Sequence, residues 1–148
     1  MNIQTKYFGE IEVEESKRIQ FPAGLPGFLE ETEFMLLDLP GNSVFQLLQS
    51  LKTPTTAFVV TNPHHFYKEY TVNLDDSIIE ALRITNEQDV AILVIVTLAS
   101  PLEQSTLNLK APVVINVTSR YGKQYILNTT DYSSKAVITP NAANGKGE

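Results

Sequence analysis

The sequence predicts a mainly β fold, a small antiparallel β-barrel-like domain with one or two short helices, and three observations carry that expectation. The first is the run Val90–Thr97, eight residues of which five are Val or Ile. Side chains branched at Cβ are stiff at χ1, which disfavours a helix and suits a pleated surface. No polar residue alternates within the run, so both of its faces should be covered by protein, and it is far too short to span a bilayer. The second observation is that short β-patterned runs recur about every ten residues between Pro, Gly and Asn punctuation. The third is that one segment alone, Ser77–Arg83, carries a convincing helix signal, whereas a doubly wound α/β fold needs several.

The 148 residues suit a single domain, placed at 1–132, with 133–148 expected to be a flexible tail because Ser, Asn, Gly and Ala dominate it. A chain of this size buries about 68–70 % of its unfolded surface, so it can hold a core without staples. Cysteine is absent, which excludes disulfides, thiolate chemistry and cysteine-based zinc sites. The N-terminus alternates in polarity and has no apolar signal-peptide core, and a cytoplasmic location is expected. Eleven basic residues against seventeen acidic ones leave a net charge of −6. Direct nucleic-acid binding needs a local basic patch, and the densest basic cluster is the pair Lys17-Arg18. An acidic surface suits a basic protein partner better.

Taken in order, residues 2–8 alternate around Ile3, Thr5 and Tyr7, and Gly9 breaks the run. In Glu10–Glu14 the period of two puts Ile11 and Val13 on one face and Glu10, Glu12 and Glu14 on the other, a strand-pair pattern with its acids about 7 Å apart. Arg18–Phe21 is extended. Pro22–Phe28 holds two prolines and two glycines and must turn, while Phe21, Leu25 and Phe28 should tuck it back onto the barrel. It is no phosphate cradle, since no Lys-Ser/Thr and helix follow its glycines. Glu30, Glu31 and Glu33 suggest a short polar helical turn ahead of a strand at 34–39.

Pro40-Gly41 turns the chain into strand candidates Val44–Ser50 and Ala57–Thr61. Asn62-Pro63 closes the second, and Tyr70–Leu74 could extend another. Ser77 and Glu80 form a capping-box pattern for a helix ending near Arg83, with Ile78, Ile79 and Leu82 as its apolar stripe. After the central strand, Ser105–Lys110 alternates with Leu107 and Leu109 inward. Ala111-Pro112 implies an edge or bulge, because proline cannot donate to a ladder. Val113–Val117, a turn at Arg120–Lys123 and a strand at Gln124–Leu127 complete the pattern.

Chemistry is sparse. His64 and His65 are the only histidines; adjacent on a strand they would face opposite ways, and no acid stands at a metal-ligand spacing from them. No GxSxG elbow is present. Asp75 and Asp76 lie where acids cap a helix and complement its dipole. Neither a catalytic residue, nor a metal site, nor a cofactor site is expected.

Several patterns together resemble the FliW family of bacterial flagellar assembly factors. They are Phe21–Phe28; Phe45–Ser50 with Pro54 and Ala57-Phe58; Asn108–Pro112 with Ile115-Asn116; and Gln124-Tyr125. The likeness runs from about Ile3 to Tyr132 in the family's order. It implies a non-enzymatic regulator with a barrel-like fold. Such a regulator binds and antagonises CsrA, an RNA-binding translational repressor of the flagellin message, and alternatively binds flagellin itself. Accumulated flagellin would then free CsrA and lower flagellin synthesis. An acidic C-terminal end occurs in some members, whereas this chain ends Asn144–Glu148 with one acid and one base.

Within that reading, Glu10, Glu12 and Glu14 with nearby Glu15 form an acidic ridge suited to a basic regulator. Phe66, Tyr67 and Tyr70 are candidates for an apolar surface that receives an amphipathic helix of flagellin, with core packing the competing fate of at least one. Two rivals, a small-molecule-binding β-barrel and an uncharacterised hydrolase, would require a lined cavity or convergent ionisable groups.

Overall fold

The computed structural model describes residues 1–129 and 131–138. Val90–Thr97 forms one uninterrupted strand, flanked on both edges and covered on both faces. The strands in chain order are β1 (Asn2–Thr5), β2 (Gly9–Glu12), β3 (Ile19–Gln20), β4 (Glu33–Leu39), β5 (Asn42–Ser50) and β6 (Ala57–Thr61). After the helix α1 (Asp76–Ala81) come β7 (Val90–Thr97), β8 (Thr106–Leu107), β9 (Val113–Asn116), β10 (Tyr121–Gln124) and β11 (Ala136–Val137). β1 and β2 make a separate hairpin. The others run β11-β8-β7-β6-β5-β4-β3-β10-β9, and β9 pairs again with β7, closing a ring. All of these pairings are antiparallel except β3 with β10.

The register explains why β7 lacks polar alternation. Its odd residues Ala91, Leu93 and Ile95 join Ile19, Phe21, Leu25, Phe34, Leu48, Val60, Val113 and Ile115 in a cluster drawn from around the ring, which is the barrel interior. Its even residues Val94 and Val96 face outward into a second cluster with Tyr70, Leu107, Leu109 and Ile138. Val90 and Ile92 lie under α1, packed with Ile78, Leu82 and Val114. The interior is therefore filled by side chains, as small barrels are. On β10 the inward position is Gly122, opposite Ile115, and its place is taken by the Phe21 ring; a Cβ on Gly122 would sit 2.6 Å from Phe21 Cζ.

Polar residues inside the motifs act as clamps. Fully buried Gln49 accepts from the Lys6 backbone N–H at 2.9 Å and donates to the carbonyls of Ser50, Pro54 and Thr56. It thereby holds both the β1–β2 hairpin and the loop after β5. Asn116, also buried, donates to the Leu82 and Arg83 carbonyls and accepts from the Thr118 and Ser119 N–H groups. That arrangement fixes the end of α1 against the β9–β10 turn. The ladder along β7 breaks between Leu107 (β8) and Val113 (β9), where Pro112 stands, as its missing N–H requires.

Several expectations need correction. The N-cap is not Ser77 of the capping-box pattern but Asp75, one of the two acids expected to cap the helix: its carboxylate accepts from the Ile78 N–H at 3.0 Å, and Ser77 Oγ donates to it. An ionised carboxylate is the stronger acceptor at a helix N-terminus. The helix ends at Ala81, and Arg83 is left-handed with φ 57°. Residues 70–74 form no strand, because Tyr70 and Val72 pack over the outer face of β7 instead of joining a ladder. Glu30, Glu31 and Glu33 form no helical turn; Glu33 opens β4, and buried Glu31 accepts from Ser50 Oγ and from Thr53 Oγ1. The last hairpin turns at 117–120, with Arg120 at φ 64°, so the strand is 121–124 and not 124–127. The domain also extends past residue 132: β11 pairs with β8, and Ile138 is buried. The rest of the expected tail, including Asn144–Glu148, lies outside the described residues.

Gly122→Ala forces the Phe21 ring out of its position. Overpacking of this kind costs about 1–3 kcal/mol, so the urea midpoint should fall with the m-value unchanged. Asn116→Ala removes the partners of buried backbone groups, at about 1–3 kcal/mol, and should lower the thermal midpoint as well.

Candidate functional site

The β1–β2 hairpin pairs Asn2 with Glu12, Ile3 with Ile11 and Gln4 with Glu10, which places Ile3 and Ile11 on its inner face. Glu10 and Glu12 are exposed on the opposite face. Beyond β2 the chain stays extended through Glu14 (φ −83°, ψ 123°), and Met1 and Val13 exchange two backbone hydrogen bonds of 2.8 Å. The alternation seen in the sequence thus continues, and Glu14 is exposed too. Glu15 follows in a 3-10 turn and lies 3.8 Å from Arg18, which also approaches Glu33 at 3.8 Å. Exposed pairs of this kind contribute little to stability. They mark Glu15 and the start of β4 as lying on either side of Arg18.

The three aromatic candidates separate. Tyr70 is 3 % exposed, and its hydroxyl donates to the Leu109 carbonyl at 2.7 Å. Burial raises its pKa well above the usual tyrosine value. It is a core residue and not part of a docking surface. Tyr67 is half-buried, donates to the Val137 carbonyl, and has a pKa raised by burial. Phe66 stacks on Phe45 at 6.2 Å. Together with Val44, Leu102 and Ile138 these two rings line an open groove of about 310 Å³, with Glu103 among its lining residues.

His64 and His65 lie in a 3-10 turn, not on a strand. The His64 ring sits 3.1 Å from Asn62 Oδ1 and 2.8 Å from the Tyr70 carbonyl. His65 lines an open depression with Asp38, Gln46 and Asn62. Among the described residues, no three His, Cys, Asp or Glu side chains come together as metal ligands. No described helix is long and apolar enough to cross a membrane. Asp75 is held below the usual carboxylate range by the Ile78 N–H, then by Ser77 and the Tyr125 hydroxyl. Phe21 and Leu25 are buried as expected, but Phe28, also expected to tuck onto the barrel, touches Phe58 and still stays 43 % exposed, and sequence reasoning missed Leu29 beside it, 70 % exposed.

Residues 2–138 match the family model described as FliW protein. The flagellar assembly factor FliW of Oceanobacillus iheyensis is 51 % identical over 138 residues, covering 93 % of this chain and 94 % of that protein. Its counterpart in Geobacillus thermodenitrificans is 48 % identical over 140 residues, 95 % and 96 % of the two chains. A crystal structure of the flagellar assembly factor FliW superposes with a TM-score of 0.89 at 47 % identity, covering 95 % of this chain and 98 % of that one.

The Asp75 cap makes a prediction about acid stability. Its folded pKa lies below the unfolded value of about 3.9, so its contribution is complete above that value and fades as pH falls through the folded pKa. The difference in thermal midpoint between the parent and Asp75→Ala should be constant above about pH 5 and shrink toward pH 3.

Proposed function

This chain belongs to the FliW family, and from that premise we propose that it is a cytoplasmic, non-enzymatic flagellar assembly factor that switches between two protein partners. One is CsrA, which it binds and antagonises, relieving repression of flagellin translation. The other is flagellin, which displaces CsrA when it accumulates. The observation that carries this reading is the family match over residues 2–138.

Two surface features support it. CsrA binds RNA, so it needs cationic surface, and the exposed row of Glu10, Glu12 and Glu14 on a chain of net charge −6 has the complementary sign. Such a row acts chiefly on association, raising an on-rate by roughly 10–10³ at low salt. The groove of Val44, Phe45, Phe66, Leu102 and Ile138 suits the apolar stripe of a flagellin helix. If the partners exclude one another, each weakens the other's binding by the same factor.

Size-exclusion chromatography tests the switch. The protein should co-elute with CsrA, and added flagellin should release CsrA; a CsrA affinity unchanged at saturating flagellin contradicts it. Replacing Glu10, Glu12 and Glu14 by Gln should slow CsrA association by about tenfold at low salt and flatten its salt dependence, while equal rates and slopes remove the ridge from the account. Phe66→Ser should weaken flagellin binding by tenfold or more and leave CsrA association unaltered.

A further inference from the structure

Leu29 is 70 % exposed and Phe28 43 %, yet the loop that presents them is tied down from several sides. Leu25 is buried in the barrel interior, and the backbones of Leu25 and Phe28 exchange two hydrogen bonds. The Phe28 ring meets Phe58 edge-on at 5.1 Å. Gly24, at φ 67°, lies so close under Leu29 that a Cβ would come within 2.6 Å of the Leu29 carbonyl oxygen. Two residues on, the buried carboxylate of Glu31 is held by Ser50 and Thr53. Apolar side chains carried on a backbone held in this way make a preformed knob, whose loop loses little conformational freedom on docking.

We propose that Phe28 and Leu29 are the apolar anchor of the CsrA interface, inserting into an apolar socket rimmed by basic side chains. The inference rests on the function proposed above and names a contact surface for it. Two features favour this occupant. The knob is framed by exposed Glu30 and by Glu33, which suits a cationic rim. The acidic ridge also reaches the strand that follows this loop, since Arg18 lies 3.8 Å from both Glu15 of the ridge and Glu33 at the start of β4. Exposed Tyr7, at the hairpin tip held to Gln49 through Lys6, adds a further apolar group beside the ridge. The two features divide the work. Exposed charge governs encounter, whereas desolvated apolar contact governs how long the complex lasts.

Surface-immobilised CsrA and the full chain, with Leu29→Ser and Leu29→Met, provide the test. Leu29→Ser should keep the parental thermal midpoint and association rate while dissociating at least about tenfold faster, and Leu29→Met should restore slow dissociation. Wild-type protein that binds CsrA, with Leu29→Ser dissociating at the parental rate, overturns the anchor and leaves the proposed function standing. Wild-type protein that does not bind CsrA defeats the proposed function and the anchor with it. Loss in Leu29→Ser of flagellin binding or of self-association, with CsrA binding intact, assigns the knob to those occupants and likewise overturns the proposal.

Discussion

The rest of the structure depends on the double burial of β7. Alternate side chains of one strand project to opposite faces, and here each face meets its own cluster. Ala91, Leu93 and Ile95 look into the barrel, and Val94 and Val96 look out toward Tyr70, Leu107, Leu109 and Ile138. A strand covered on one side only would carry polar residues at every second position. Because β7 does not, the chain must supply a layer outside the barrel, and the segments around Tyr70, Leu109 and Ile138 are that layer. Tyr70 and Ile138 belong to no regular helix or long strand, but without them the outer face of β7 would lie open to water.

Double burial also decides where the chain can meet other molecules. Its interior is filled, with the Phe21 ring occupying the space that Gly122 leaves, and the polar residues of the motifs are spent on clamps. Gln49 and Asn116 satisfy backbone groups that irregular loops would otherwise leave unpaired in a dry setting, where an orphaned donor is costly. Among the described residues the exterior offers an acidic hairpin, an apolar groove and a tied loop with two exposed apolar side chains. Gln49 and Glu31 connect the hairpin and the loop to the end of β5, so these surfaces stand on a rigid base.

Much of this was legible in the sequence, for a physical reason. Period and β-branching located β4, β5, β6 and β7, because those signals reflect the packing that decides strands. The alternation in Glu10–Glu14 gave the ridge its face. Failures fell where local signals compete with long-range contacts. Tyr70–Leu74 looks like a strand, but its apolar residues are used to cover β7. Ser77 looks like a cap, but the neighbouring carboxylate of Asp75 outcompetes it. Ala136-Val137 looks like tail, yet pairs with β8. The Phe28–Leu29 knob was invisible because its exposure depends on how close Gly24 lets the backbone approach, which no periodicity records.

Amide hydrogen exchange of the protein alone and with CsrA bound tests the central claim most directly, that partners engage the exterior of an unchanging barrel. The account predicts new protection over residues 2–15 and 24–33, with the exchange rates of the β7 amides the same in the two states. Protection confined to other surfaces, or loosening of β7 on binding, would contradict it.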